Sequence, residues 1–357
     1  MGVESPLSSI RIPRVLDDVT FEWCAQHLEP IFRATLIDAD IQPVGAGRIG
    51  TTVRVRLIWA SERAASPPPS VVVKLVAQSA VARRAARTFG SYRAEVGFYL
   101  ELAEHVGSRL PRCFIAAYES ADRYCLVLED MGDSEAGDQM RGCSPEEAEA
   151  SLLELARLHA STSASSGIDI PSWLTPRRAI IESHEALTLA VRLSDRFWAR
   201  FDDRLAPEVE EALTELAVQC DQNRPRLATL TSVLHGDFRT GNLLYGIGRP
   251  VVVDWQTVAV GNSVADLSYF VGTSISREKQ RADHAIYIDT YVSALRSYGI
   301  QIDEQLLWAD YARYALAGLA MAIVGWSLSE RTPASDEMFA VMADRSAIHA
   351  DELRNIS

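Results

Sequence analysis

The sequence predicts an α+β chain of two lobes, a small N-terminal lobe with an antiparallel sheet and a larger, mainly helical C-terminal lobe. Three observations predict it. The first hundred or so residues carry short apolar or alternating runs with turn residues between them, whereas most of the chain after Ser144 repeats apolar residues every three or four positions. Ser144-Pro145-Glu146-Glu147 is a strong helix start, with a serine cap, proline at the first helical position and glutamate three residues after the cap. The length of 357 residues, with 48% hydrophobic and 23% charged content, suits roughly two domains. The expected division is 1–128, a hinge at 129–132, and 133–357.

Taken in order, Val53, Val55 and Leu57 alternate with Arg54, Arg56 and Ile58 as in a half-buried strand. Ser66-Pro67-Pro68-Pro69-Ser70 breaks the chain before Val71-Val72-Val73-Lys74-Leu75-Val76, a second strand. Over 88–105, Phe89, Tyr92, Val96, Tyr99, Leu100 and Ala103 recur as on one helical face, with Glu95 beside it. Two short strands follow at 113–118 and 124–129. The helix from Ser144 is expected to turn Leu152, Leu155, Ala156 and His159 inward, and further helices are expected at 177–201, 207–220, 278–298 and 304–328. The most apolar stretch, 314–326, is too short for a membrane span of about 20 residues and is expected to be a buried core helix.

A net charge of -13 argues against a general nucleic-acid binder, which needs a basic surface to displace counterions from phosphates. The five cysteines are scattered and form no CxxC pair, and the first residues carry no apolar secretory core. A reduced, cytoplasmic setting is therefore expected.

Gly45-Ala46-Gly47-Arg48-Ile49-Gly50 matches GxGxxG, a pattern shared by two unrelated phosphate-binding designs. In a dinucleotide fold these glycines open a helix, but residues 51–59 alternate as a strand, so the loop is expected to join two antiparallel strands. Glycines there let backbone N–H groups approach phosphate oxygens. A hairpin without a ligand would show the same pattern. Lys74 is flanked by residues a strand would bury, and its charge needs a partner, which Glu95 on the following helix can supply. The ammonium would then serve the α and β phosphates of a nucleotide.

Residues 231–256, TSVLHGDFRTGNLLYGIGRPVVVDWQ, are the most informative part of the chain. Two strands around a turn would bring Asn242 and Asp254 near each other as oxygen ligands, the kind Mg²⁺ takes from protein in small number. Asp237, five residues before Asn242, would orient an attacking hydroxyl and accept its proton. His235 is expected to brace the loop. Separately, each residue also fits an ordinary turn or strand end; it is their joint spacing that points to phosphoryl transfer.

His235-Gly236-Asp237-Phe238-Arg239-Thr240-Gly241-Asn242 resembles the catalytic loop of aminoglycoside phosphotransferases, choline kinases and the ecdysteroid-kinase-like group. Val253-Asp254-Trp255-Gln256 resembles their metal-binding segment, and Asp266-Leu267-Ser268-Tyr269-Phe270 the segment after it. The resemblance extends loosely through Gly45, Gly47, Gly50, Lys74, Glu95, Leu128-Glu129-Asp130-Met131 and Ala156-Arg157-Leu158-His159-Ala160. It implies a bilobal protein-kinase-like fold, ATP and Mg²⁺ as cofactors, and a small-molecule hydroxyl acceptor such as a metabolite, amino sugar, or steroid- or lipid-like alcohol. It further implies Asp237 as base, Asn242 and Asp254 on Mg²⁺, Lys74 with Glu95 on the ATP phosphates, backbone groups from Glu129 to Met131 on adenine, and Asp266 bracing the loop. Arg239 departs from the pattern, standing where the aminoglycoside enzymes often have histidine and the ecdysteroid-like group tryptophan. It could offset charge on the transferring phosphoryl group or form a surface salt bridge, and the second is favoured slightly. Trp255-Gln256 leans toward the ecdysteroid-like branch.

A protein kinase is disfavoured, because 12 positions (266 − 254) leave little space for an activation loop. A metal hydrolase lacks further clustered histidines. An inactive nucleotide-binding scaffold is the alternative from another class, and the joint presence of Lys74, Glu95, Asp237, Asn242 and Asp254 weighs against it. Asp133, Glu135 and Asp138 are expected to be a solvated face, and Trp198, Phe201, Trp308 and Trp326 mostly core.

Overall fold

The computed structural model describes residues 10–43, 50–60, 67–222 and 228–356. They fall into two compact units, one of residues 1–102 with 111–132 and one of 103–110 with 133–357.

The first unit is built on the expected antiparallel sheet. Its described strands are β1 (Leu36–Pro43), β2 (Gly50–Trp59), β3 (Ser70–Val76), β4 (Cys113–Ser120) and β5 (Arg123–Glu129), in the order β1-β2-β3-β5-β4. Strand alternation sends Val53, Val55, Leu57, Val71, Val73, Leu75 and Val127 into one core with Trp23, Cys24 and Leu28 of helix α1 (Phe21–Phe32). Each such side chain contributes about 1.5–3 kcal/mol by leaving water, which fixes the register of the sheet against a one-residue slip. Lys74 therefore points to the other face, where its register neighbours are Thr52 and Leu126.

Helix α3 (Ser91–Glu101) belongs to that second face through Tyr92, whose ring stacks on Tyr124 of β5 with centroids 4.3 Å apart. The Tyr92 hydroxyl also accepts from the Ala77 N–H at 2.9 Å. Where one helix was expected over 88–105 there are two, α2 (Ala80–Phe89) and α3, parted at Gly90. Its φ of 62° is left-handed and closes α2, a conformation glycine adopts without a Cβ clash. The break leaves Phe89 and Leu100 exposed, while Tyr92, Glu95, Val96 and Tyr99 are buried.

In the second unit, helix α4 (Pro145–Ser161) begins as its sequence predicts. The Glu147 N–H donates to Ser144 Oγ at 3.1 Å, and the Ser144 N–H donates to the Glu147 carboxylate at 2.7 Å. Leu152, Leu155, Ala156 and His159 are all fully buried. Further helices are α5 (His184–Phe201), α6 (Glu208–Asp221), α7 (Val264–Ser274), α8 (Arg277–Ser297), α9 (Glu304–Arg313), α10 (Ala317–Leu328) and α11 (Pro333–Ile356). All eleven residues of α7 are buried, and α4, α9, α10 and α11 pack on it.

Three expectations are corrected here. Residues 304–328 form two helices, because the chain turns at 314–316 and Gly318 brings α10 close to Thr273 and Ser346. Residues 177–183 do not join α5; the Arg177 guanidinium is drawn away to the carbonyls of Val258 and Gln256. Residues 103–110 pack with the second unit. The Ser108 hydroxyl donates to Glu154 O, the Arg109 N–H to the Glu154 carboxylate, and the Val252 N–H to Arg109 O. Helices α7 and α11 are further elements that the sequence reading did not contain. Phe201 and Trp326 join Phe197 in the core, whereas Trp198 and Trp308 are half-buried. Among the described residues no helix is long and apolar enough to cross a membrane.

Small sheets carry the informative segment. β6 (Glu135–Ala136), β8 (Leu243–Tyr245) and β9 (Val251–Val252) form one, and β7 (Thr231–Leu234) pairs antiparallel with β10 (Ala259–Asn262) in another. The β8/β9 hairpin pairs Leu243 with Val252, as the turn between two apolar runs implies.

Candidate active site

The loop that leaves β7 is held at its start by α7. The N–H groups of His235 and Gly236 donate to the two carboxylate oxygens of Asp266 at 2.6 and 3.0 Å. Gly236 has a φ of +78°, and a Cβ there would stand 2.4 Å from Thr257 O, so both backbone shape and space require glycine. His235 is fully buried. Its Nδ1 accepts from the Asp237 N–H at 3.2 Å, which places its proton on Nε2, and this donates to Val253 O at 3.0 Å. Both ring nitrogens are thus committed to bracing, tying the loop to the strand that leads to Asp254.

Asp237 is gripped by three side chains. Oδ1 accepts from the Tyr269 hydroxyl and from Arg239 Nε, the latter at 3.1 Å. Oδ2 accepts from Asn242 Nδ2 at 2.8 Å and from Arg239 Nε at 3.3 Å. Burial, and then the neighbouring Asp237, holds the Tyr269 hydroxyl far above the usual phenol range, so it stays a donor. Asn242 Nδ2 also donates to Asp237 O at 2.9 Å. Both groups it meets are acceptors, so the amide orientation is fixed and Oδ1 is the oxygen left over. The Val253 N–H donates to Asn242 O at 3.0 Å, linking this amide to the approach to Asp254.

Asp254 sits at φ 70°, ψ 64°, a left-handed conformation shared among described non-glycine residues only with Arg33. Such backbone costs of order 1–2 kcal/mol and is retained where surroundings over-determine it. Gln256 Nε2 donates to its Oδ2 at 3.1 Å. The leftover Asn242 oxygen and the Asp254 carboxylate are hard oxygen donors, which suit Mg²⁺ with the remaining positions filled by phosphate and water.

One face of α7 supports the whole loop. Asp266 holds its first amides, and Tyr269, one turn on, holds the Asp237 carboxylate. Thr273 O accepts from Gln139 Nε2 at 2.7 Å, and Gln139 Oε1 takes the Gly241 N–H and Arg239 Nη1, both at 3.3 Å. Ser274 Oγ accepts from the Thr240 N–H at 3.0 Å.

The first unit carries its own constellation. Lys74 Nζ is ion-paired with Glu95 Oε1, the pairing expected from the sequence, with Glu95 side chain 1% exposed and Lys74 13%. Gly50 opens β2 as a strand, and a Cβ on it would lie 3.1 Å from Leu75 O. Gly45 and Gly47 lie outside the described residues. The Glu129 N–H donates to Arg112 O at 2.7 Å, and Asp130 takes a two-pronged grip from Arg54, Nε at 2.6 Å and Nη2 at 2.9 Å.

A model of the ecdysteroid kinase-like family matches residues 49–302. The chain belongs to that family. No curated protein matches this ecdysteroid kinase-like chain in sequence. Among solved structures, it is similar to a protein assigned as an aminoglycoside phosphotransferase from Ralstonia eutropha, at 15% identity and a TM-score of 0.53, over 94% of this chain and 97% of that one. It is similar also to the choline kinase of Cryptosporidium parvum, at 12% identity and a TM-score of 0.53 over 89% of each chain. An amicoumacin kinase solved with AMP-PNP and Ca²⁺ matches at 13% identity and a TM-score of 0.53, over 89% of this chain and 92% of that one. At these identities the likeness shows the fold, the kinase-like one that the sequence predicts.

Within this ecdysteroid kinase-like chain, the second unit brings His235, Asp237 and Asn242 of the loop and Asp266 of α7 into one hydrogen-bonded cluster. Arg239 corrects the sequence reading. It is not a surface salt bridge: its side chain is 11% exposed and its partners are Asp237 and Gln139. Burial works against its charge, but Asp237, the Tyr269 oxygen and Asp254 outweigh this and hold its pKa above the usual guanidinium value. Tyr269 and Gln139 were missed. Tyr269 lies one helical turn after Asp266, the signal that could have found it; Gln139 carries no local signal.

Asp266 also gives a stability prediction for this chain. Asp266→Ala leaves two buried backbone N–H groups without acceptors, at about 1–3 kcal/mol each. Urea unfolding should show the second unit destabilised by about 2–6 kcal/mol, and a variant as stable as wild type would contradict the bracing role.

Proposed function

We propose that this protein is an ATP- and Mg²⁺-dependent small-molecule kinase that transfers the γ-phosphoryl group of ATP to a hydroxyl group. The observation that carries the reading is the Asn242 amide: it clamps the Asp237 carboxylate through Nδ2 and, by the same orientation, keeps Oδ1 for a cation. A base and a metal ligand are thereby fixed by one side chain. That the chain belongs to the ecdysteroid kinase-like family supports the same reading.

In this reading Asp237 orients the acceptor hydroxyl and takes its proton as the oxygen attacks phosphorus. Asn242 and Asp254 would hold Mg²⁺, which supplies charge neutralisation on the phosphate oxygens. Lys74, kept extended by Glu95, would hold nucleotide phosphates, with the backbone of Gly45, Gly47 and Gly50. The Glu129 N–H is already committed to Arg112 O, so adenine recognition would fall to the Glu129 carbonyl and the backbone of Met131. His235 and Asp266 keep the loop in shape.

Incubating the protein with Mg-ATP and a panel of hydroxylated metabolites, amino sugars and sterols should yield at least one product 80 Da heavier by mass spectrometry, the mass of about one added phosphoryl group. Normal ATP binding with no product from any acceptor would favour the scaffold.

A further inference from the structure

Arg239 makes a weaker contact with its carboxylate than the protein shows it can make. Arg54 meets Asp130 as a fork, Nε at 2.6 Å and Nη2 at 2.9 Å on separate oxygens. Arg239 meets Asp237 through Nε alone, at 3.1 and 3.3 Å to the two oxygens. Forks are the strong, geometrically matched form of this pair, so a guanidinium serving only as counterion would adopt one.

The arrangement is nonetheless built. Nη1 is held by Gln139 Oε1 at 3.3 Å, and Gln139 is fixed in turn by Nε2 donating to Thr273 O at 2.7 Å. Arg345 Nη1 donates to Gln139 O at 2.7 Å and clamps the same strand of loop. A Cβ on residue 241 would stand 2.3 Å from Arg239 Nη1, so Gly241 leaves the guanidinium its place. With Nε and Nη1 committed, Nη2 carries two N–H donors that meet no acceptor among the described residues. A charge that is 11% exposed, beside the proposed base, thus keeps two donors in reserve.

We propose that Arg239 is an anion-receiving residue of this site, whose Nη2 binds an anionic oxygen that arrives with a ligand. The inference rests on the phosphotransferase reading for the ligand's identity. The oxygen has two possible sources, the transferring phosphoryl group of the nucleotide or an acidic group on the acceptor.

Calorimetry with Mg²⁺ distinguishes them without turnover. The probes are AMP-PNP and ADP on the free protein, and sulfate added to the AMP-PNP complex, where the γ position is filled. If the phosphoryl group is the source, Arg239→Gln loses roughly tenfold or more of the preference for AMP-PNP over ADP, the worth of one charge-assisted hydrogen bond. If the acceptor is the source, that preference survives and sulfate ceases to bind the AMP-PNP complex. Arg239→Lys should recover part of the loss, and Gly241→Ala, which displaces the guanidinium without removing it, should reproduce the loss. Unchanged preference with unchanged sulfate affinity overturns the proposal. So does an equal weakening of both nucleotides with sulfate unaffected, which would mean that Arg239 only supports the loop. Because every readout is binding, a protein that binds as expected but phosphorylates nothing would count against the kinase reading and not against Arg239.

Discussion

Asp237→Ala is expected to lower turnover by about 10²–10⁴-fold while Mg-ATP affinity stays near wild type. The variant removes the proposed proton acceptor and none of the groups assigned to nucleotide phosphates. It also strips the shared acceptor from Tyr269, Arg239 and Asn242, whose donors all converge on that carboxylate. Asp237→Asn is the companion variant, since it keeps the shape and one acceptor oxygen and should preserve more of the loop while losing the base. Single-turnover phosphorylation reports the rate and calorimetry the affinity. A wild-type rate in both variants would remove Asp237 from the chemistry.

Lys74→Met is expected to destabilise the first unit by about 3–5 kcal/mol, the usual result of leaving one member of a buried ion pair behind. The penalty falls on Glu95, whose side chain is 1% exposed, more than on Lys74 at 13%. Replacing both, as Lys74→Met with Glu95→Met, should recover most of the loss, because an apolar pair in the same space needs no charge compensation. Urea unfolding followed by the fluorescence of the first unit measures both. A single variant as stable as wild type would mean that Glu95 finds another cation when Lys74 is gone.

What the sequence revealed and what it hid divide along physical lines. The Lys74–Glu95 pair was legible because strand alternation forces Lys74 to one face, and a charge on an apolar strand demands a partner. The α4 start was legible because a capping box is local chemistry. The bracing by Asp266 came from resemblance, whereas the Asp237–Asn242 contact was not read from the sequence, since a five-residue spacing in a loop does not say which side chains turn toward each other. Arg239 was misjudged because sequence gives no depth: its partner Gln139 is 100 positions away and is itself positioned by α7 and Arg345. The break at 314–316 was likewise decided by neighbours, whereas the Gly90 break rests on the local left-handed backbone of a glycine. Gly318 admits α10 against Thr273 and Ser346, a tertiary demand that overrides a continuous helical pattern.

The burial of α7 carries a consequence for where the chain can move. Its eleven residues sit wholly inside the second unit, and one of its faces holds the loop's first amides through Asp266, the Asp237 carboxylate through Tyr269 and Gln139 through Thr273 O. Segments that open by local unfolding are those with few buried contacts and solvent-exposed hydrogen bonds. This loop has neither trait, so it belongs to the same cooperative block as the helical core and stands or melts with it. In the proposed phosphotransferase reading, ligands would come and go past a fixed floor, and the motion that limits their exchange would be drawn from less deeply anchored parts of the chain.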